Sequence, residues 1–340
     1  MNIAAALREL KEAFHRLEEK YGDLAQSLVE KYHSVRLHRD QVVRYLELFD
    51  TVSEVERLLS TGEDKVMKTI RVNTLLADPE EVSERLEAKG FRLRRHPYID
   101  YGLVVLEEPI PIGATHEYML GLYTVQGPAS MMVVPALDPP GKGRIADMCA
   151  GAGVKTTQIA QHSPQAHIVA LDINRRKLLA LKNNASRLAV FNIVALNMDA
   201  RRLPQLGRFD AILLDAPCSG EGLLAFQRGR WPRSFNDIAS RVELQLQLLK
   251  AGIEALADNG VLVYATCSIS VEENEYVVTR ILEEYSSLDL EEPPIKAGLP
   301  GKQSYAGLKL DRRVSRCRRF YPHIHGTEGF TICRLVKRKS

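Results

Sequence analysis

Apolar residues in the first 65 positions recur at helical spacing. Leu7, Leu10, Phe14, Leu17 and Tyr21 sit three or four apart with charges between them, which lines one face of a helix. Gly22 is expected to interrupt it. A second helical pattern runs through Val42, Val43, Leu46, Phe49, Val52, Val55 and Leu58 to a stop at Gly62. The pattern then changes. "KTIRVNTLL" (68–76) reads as a strand, Asp78-Pro79 starts a helix, and "EEVSERLEAKG" carries it to Gly90. "FRLRRHP" and "YGLVVLE" follow as strands. This βαββ order predicts a small α+β domain ending near residue 135, with "DPPGKG" (138–143) as a linker.

Beyond the linker, strands and helices alternate. The predicted strands are "RIADMCA", "AHIVALDI", "NIVALNMDA", "FDAILLDAP" and "GVLVYATCS", with helices in "NRRKLLALKNNASRLA" and "SFNDIASRVELQLQLLKAGIEAL". Uniformly apolar strands with helical crossovers predict an α/β domain with a doubly wound, mostly parallel sheet. Three regions result: a helical region over 1–65, the α+β domain over 66–137, and the α/β domain over 138–340. Ligands bind such sheets outside the carboxyl ends of the strands. Asp147, Asp172, Asp199, Asp215, Cys218 and Cys267 all fall there.

Composition narrows the class without deciding it. The 340 residues are 45% hydrophobic and 26% charged, and a net charge of +3 gives no overall pull toward nucleic acid. Five cysteines without a CxxC pair predict reduced thiols in a cytoplasmic protein. The opening "MNIAAALRELKEAF" is too charged for a signal peptide. The uncharged stretch from Tyr118 to Leu137 contains Gly127, Pro128 and Pro135, which suit a bent core segment better than a membrane span.

The first α/β strand runs into "DMCAGAGVKT" (147–156). Gly151 and Gly153 permit a tight turn, and the following helix offers free amide groups to a polar ligand. Val154 stands where a phosphate loop needs glycine before lysine, and the third glycine of a dinucleotide fingerprint is missing. Asp172, ending the next strand, can accept from both ribose hydroxyls of NAD or S-adenosylmethionine. Asp199, ending the third, favours an adenosyl pocket.

Four motifs carry a resemblance. "DMCAGAGVKT", "LLDAPCSGEG", "YATCSISVEENE" and "RFYPHIHGTEGFTIC", in that order, resemble the NOL/NOP/Sun (Sun-type, RsmB-like) RNA cytosine-5 methyltransferases. "TIRVNTL" and "LYTVQGPASM" resemble the segments that precede the catalytic domain there, so the likeness spans roughly residues 68–336. The resemblance implies a Rossmann-like catalytic domain, an RRM-like α+β domain and S-adenosyl-L-methionine as cofactor. It implies Cys267 as nucleophile, Cys218 in product release, Asp215 hydrogen-bonded to the cytosine ring, and Lys155 near the target base. Cys149, Asp172, Lys177 and Asp199 match cofactor-contacting positions, as does the loop through Ala150, Gly151, Ala152, Gly153, Val154 and Lys155, with Asp215 beyond it. The family loop usually reads Ala-Pro-Gly-Gly-Lys, so this chain loses its proline and has Val154 where a positive φ is allowed.

The chemistry explains two thiols. Carbon 5 of cytosine is a poor nucleophile until a thiolate adds to carbon 6, and a base must later remove the carbon-5 proton before the thiol departs. Other groups carry blander expectations. Cys317 and Cys333 are expected as packed thiols, and His323 and His325 as packing or hydrogen-bonding groups in a strand, with no metal assigned. Glu272, Glu273 and Glu275 are expected to open a helix at its positive end. Arg92, Arg94 and Arg95, then Arg228, Arg230 and Arg233, then Arg312 to Arg319 form basic clusters. Interleaved with Trp231, Phe320 and Tyr321, they are expected to hold phosphates and stack bases of tRNA or rRNA. The expected protein is a monomeric S-adenosylmethionine-dependent RNA methyltransferase. An RNA assembly factor without turnover is the alternative, and the intact Cys218, Cys267, Asp215 and Lys155 count against it.

Overall fold

A computed structural model describes residues 2–141, 143–226 and 233–339. Three helices come first: α1 (Ile3–Lys31), α2 (Arg39–Leu48) and α3 (Val52–Ser60). Helix α1 does not break at Gly22. The missing side chain there makes room for Arg39, whose guanidinium a Cβ would meet at 2.3 Å and whose Nε donates to the Gly22 carbonyl across 3.2 Å. Glycine here is a docking notch rather than a stop.

The α+β unit holds β1 (Lys68–Val72), α4 (Pro79–Glu87), β2 (Arg92–Arg95), β3 (Gly102–Glu107) and β4 (Tyr123–Val125). Its four-stranded antiparallel sheet has the order β2-β3-β1-β4. Ile70, Val72, Val82, Leu86, Leu103 and Tyr123 form its own core.

The larger sheet contains β5 (Arg144–Asp147), β6 (His167–Asp172), β7 (Ile193–Asn197), β8 (Phe209–Asp215) and β9 (Leu256–Thr266). Helices α5 (Val154–His162), α6 (Arg175–Arg187) and α7 (Phe235–Ala255) cross between them, and α8 (Val277–Glu284) follows. Strands β10 (Leu288–Glu291), β11 (Leu299–Pro300), β12 (Arg318–Phe320) and β13 (Phe330–Lys337) complete it. The order is β11-β12-β13-β9-β8-β5-β6-β7, with β10 also on β13. The run β9-β8-β5-β6-β7 is parallel, and β13 is antiparallel to β9. This is the expected Rossmann-like sheet. The chain leaves β5 toward β6 on one side and later returns to β8 on the other, which opens a crevice at the carboxyl end of β5. No described helix is long and apolar enough to cross a membrane.

Several local expectations are corrected. Cys317 and Cys333 form a disulfide rather than two thiols. The register Arg318↔Ile332 between β12 and β13 brings their neighbours face to face, a pairing that strand order decides and spacing does not reveal. His323 and His325 lie in a short helix, Pro322–His325, not in a strand. Burial beside Phe49 lowers His323 to about 4, and His325 Nδ1 accepts from the Tyr321 amide. Phe320 and Tyr321 are buried and cannot stack bases. Arg319 is also buried, and Glu275 pairs with it across 2.5 Å. Glu272, Glu273 and Glu275 do open a helix, as expected: the π turn Glu272–Tyr276 that holds them runs directly into α8, and their side chains pack inward on polar partners. Arg228, Arg230 and Trp231 lie outside the described residues.

Candidate active site

The crevice contains a cavity of about 690 Å³ at the carboxyl ends of β5, β6 and β8, within the size range of small-ligand sites. Cys149, Ala150, Gly151, Ala152, Val154, Lys155, Asp172, Lys177, Asp199 and Asp215 line it. Gly153 does not. It packs against Leu181, whose Cγ a Cβ would meet at 2.6 Å. Positive φ falls on Gly151 (54°) and Gly153 (83°), and Val154 is instead the first residue of α5. The departure from the family loop therefore places no strain on valine, and the loop still delivers Lys155 to the crevice.

Sequence reasoning missed the apolar part of the lining. Ile173 directly follows the strand-end Asp172 and is 76% exposed beside the cavity; Met198, Pro217, Leu244 and Leu248 also line it. The position of Ile173 right after the acid was the only local signal for it. Glu328 was missed as well. Its buried carboxylate accepts from the Ser130 and Ala129 amides across 2.8 and 3.3 Å, and burial pushes its pKa up.

Each acid has a distinct environment. Asp172 accepts from the Gly151 amide at 2.9 Å and the Asn174 amide at 2.7 Å. Asp199 caps the turn Ala200–Leu206 and pairs with Arg201, which holds its carboxyl below the usual range. Asp147 is buried beneath the loop with Thr156 Oγ1 donating across 2.7 Å, and burial raises its pKa to about 7. Asp215 accepts from Lys155 Nζ at 2.7 Å. Burial opposes the Lys155 charge, but the Asp215 carboxylate outweighs it and keeps the pKa above the ordinary value.

Beyond Asp215 the chain turns through Pro217 and places Cys218 beside Cys267, at the end of β9. The two sulfurs are 3.0 Å apart. Their loops also touch through backbone, since the Gly222 amide donates to the Cys267 carbonyl at 3.0 Å. The sulfur–sulfur hydrogen bond, with burial second, pushes the Cys218 thiol well above its usual pKa. This contact and burial favour the neutral thiol at Cys218, and either sulfur can donate to the other. Cys149 is a different case: burial and then Asp147 hold its thiol protonated.

A second cavity, of about 830 Å³, lies between the four-stranded sheet and the larger sheet's domain. Met67, Lys68, Arg94, Leu106, Phe226 and Glu328 help line it, and Val125, Gln126 and Gly127 border both cavities. Of the first basic cluster, Arg92 pairs with Glu107 at 2.6 Å and Arg95 pairs with Glu80. Arg94 is the member that faces this cavity.

A Rossmann-like sheet, an acid-rimmed glycine loop and a thiol pair at two adjacent strand ends define a methyltransferase of the paired-cysteine kind. The model of the 16S rRNA methyltransferase RsmB/F family matches residues 134–336, and that of the RsmF/B-like ferredoxin-like domain matches residues 48–113. The chain belongs to the RsmB/F methyltransferase family. It is 35% identical over 303 residues to the 25S rRNA (cytosine-C(5))-methyltransferase nop2 of Schizosaccharomyces pombe, covering 86% of this chain and 50% of that one. It is 31% identical over 304 residues to ribosomal RNA small subunit methyltransferase F of Erwinia tasmaniensis, covering 86% and 61%. The chain thus spans about half the length of the curated relatives it matches. Among solved structures, a methyltransferase homolog protein from Pyrococcus horikoshii superposes with a TM-score of 0.82 at 33% identity, covering 92% of this chain and 99% of that one. NSun6 from Pyrococcus horikoshii, solved with SFG, gives 0.77 at 26%, covering 87% and 97%.

The cavity fits S-adenosylmethionine, the cofactor of this family. The loop turned by Gly151 and Gly153 provides a backbone cradle. Asp172 adds carboxylate acceptors to the cavity lining, and Ile173 and Met198 give an apolar wall.

Proposed function

We propose that this chain is an S-adenosylmethionine-dependent RNA (cytosine-5-)-methyltransferase acting on ribosomal RNA as a monomer in the cytoplasm. The observation that carries the reading is the 3.0 Å contact between Cys218 and Cys267 beside the Lys155–Asp215 pair. The ribosomal substrate follows from the relatives, which are named for ribosomal RNA. The boundaries at 65 and 137 are proposed as the domain limits, with the target base entering the cavity between the two sheets.

S-adenosylmethionine supplies the methyl group, and the residues prepare the base to receive it. Cys267 adds to carbon 6 of cytosine, which makes carbon 5 enamine-like. Its thiol must lose a proton first, because the thiolate is the nucleophile. Lys155 holds the base and keeps Asp215 in place to hydrogen-bond the ring as charge develops. After transfer, Cys218, once it has given up its own proton to solvent, takes the carbon-5 proton; the electron pair of that bond restores the 5,6 double bond, and the Cys267–carbon 6 bond breaks to release the Cys267 thiolate.

The two thiols should therefore fail differently. Cys267→Ala should abolish methylation and form no bond to RNA. Cys218→Ala should accumulate a covalent adduct, visible as a slow band on a denaturing gel and promoted by cofactor. An adduct formed through Cys218 in the Cys267→Ala protein would reverse the assignment. Bisulfite sequencing of ribosomal RNA, with and without the gene, identifies the modified cytosine.

A further inference from the structure

Behind the two thiols lies a carboxylate that the reaction scheme does not use. Glu273 is fully buried in the π turn after β9. Its Oε1 accepts from the Ser219 amide at 2.8 Å and from Gln245 Nε2 at 3.1 Å. Its Oε2 accepts from Ser219 Oγ at 2.5 Å and Ser268 Oγ at 2.6 Å. All four partners are donors, which suits an acceptor-only carboxylate. The two hydroxyls belong to the residues that directly follow Cys218 and Cys267. They also lie 3.2 Å from each other.

We infer that Glu273 is a positioning residue: it clamps the Cys218 loop and the Cys267 loop to each other through Ser219 and Ser268, and so sets the distance between the two thiols. The inference rests on the proposed two-thiol reaction.

Neighbouring bonds make the clamp specific. Ser219 Oγ already accepts from the Glu221 amide at 3.3 Å, and Ser268 Oγ from the Ser270 amide at 3.1 Å. Each hydroxyl gives its single proton to Oε2, which receives both. An amide NH2 in place of Oε2 can accept neither proton, so both hydroxyls would have to turn away from it. Asn274, one residue on, ties the nucleophile's loop to itself by accepting from Thr266 Oγ1 at 2.6 Å and donating to the Ser268 carbonyl at 3.0 Å. Glu273, by contrast, reaches both loops.

The test compares the native protein with Glu273→Gln, reading thiol proximity and turnover separately. Diamide takes two protons and two electrons from a thiol pair, giving a disulfide and the hydrazine, so its rate of Cys218–Cys267 cross-linking reports their alignment without RNA or cofactor. Glu273→Gln should cross-link at least ~10-fold more slowly. Its kcat should fall by up to ~10²-fold, the scale of a small misplacement at a reacting group, while KM for RNA and cofactor affinity hold. Native cross-linking and native kcat in Glu273→Gln would overturn the inference. So would activity that falls only with the folded fraction while the folded protein cross-links at the native rate. Should Glu273→Gln not fold, Ser219→Ala and Ser268→Ala, each removing one arm of the clamp, take its place with the same expected slowing. Native rates in both would overturn it. A native protein that cross-links but never methylates would remove the reaction scheme, and the cross-linking contrast would still decide the clamp.

Discussion

Asp172 accepts a hydrogen bond from the Gly151 amide across 2.9 Å, so the acid that ends β6 also braces the glycine loop that ends β5. Removing it takes away the support of the loop and, on the proposed cofactor role, an acceptor for the ribose. Asp172→Ala should weaken S-adenosylmethionine binding by ~1.5–3 kcal/mol, the scale of a hydrogen bond to a charged group. Calorimetric titration measures this directly. Unchanged affinity in a folded variant would take Asp172 out of the cofactor site.

Asp147 should make stability depend on pH. Burial raises its pKa from 3.8 to about 7, so between those values the folded protein binds more protons than the unfolded chain. Stability from this group is therefore full below about pH 4, falls as pH rises toward 7, and stays flat above that. Asp147→Asn removes the slope. Relative to native, the variant should gain ~1–4 kcal/mol on going from pH 4 to pH 8. Denaturant unfolding at both pH values checks this, and parallel pH dependence in the two proteins would count against it.

Arg44 and Glu221 form a buried bidentate pair that joins α2 to the turn after Cys218. Arg44→Met alone leaves Glu221 without its guanidinium and should cost ~3–5 kcal/mol. Adding Glu221→Leu removes the stranded charge and should restore most of that loss. A double variant no more stable than the single one would mean that packing, not charge pairing, holds the helices to the site.

Arg94 is the member of its cluster that lines the cavity between the two sheets. Arg94→Ala should weaken RNA binding and lower the salt slope by about one. Arg92→Ala should do less, because Arg92 already pairs with Glu107. Equal effects from the two would place the RNA path over the outer face of β2 instead.

The central parallel strands were legible because burial on both faces makes them largely continuous apolar runs, whereas the edge strand β7 is apolar but half exposed, and the strand-end acids and thiols followed from that pattern. What periodicity cannot report is which distant segments meet. Cys317 and Cys333 pair only because β12 lies beside β13. The burial of the helix-opening acids was not legible because partners such as Arg319, Tyr305 and Ser219 come from elsewhere in the chain. Gly22 looked like a helix stop because Arg39, the residue it makes room for, lies in the next helix. Glu328 gave no sign at all, since its donors are backbone amides some two hundred positions away.

Strand β9, which carries Cys267 at its end, has β8 on one side and the late strand β13 on the other. During synthesis β13 emerges well after β9 and after the Cys218 turn. Until then β9 presents an open, apolar edge, and the Gly329 amide that bonds the Gly222 carbonyl has not arrived to seat the Cys218 turn. Completion of the thiol pair is therefore tied to the arrival of β13. A polypeptide that stops short of β13 should be sticky before it is reactive, exposing an aggregation-prone edge to quality control instead of a half-built nucleophile to RNA.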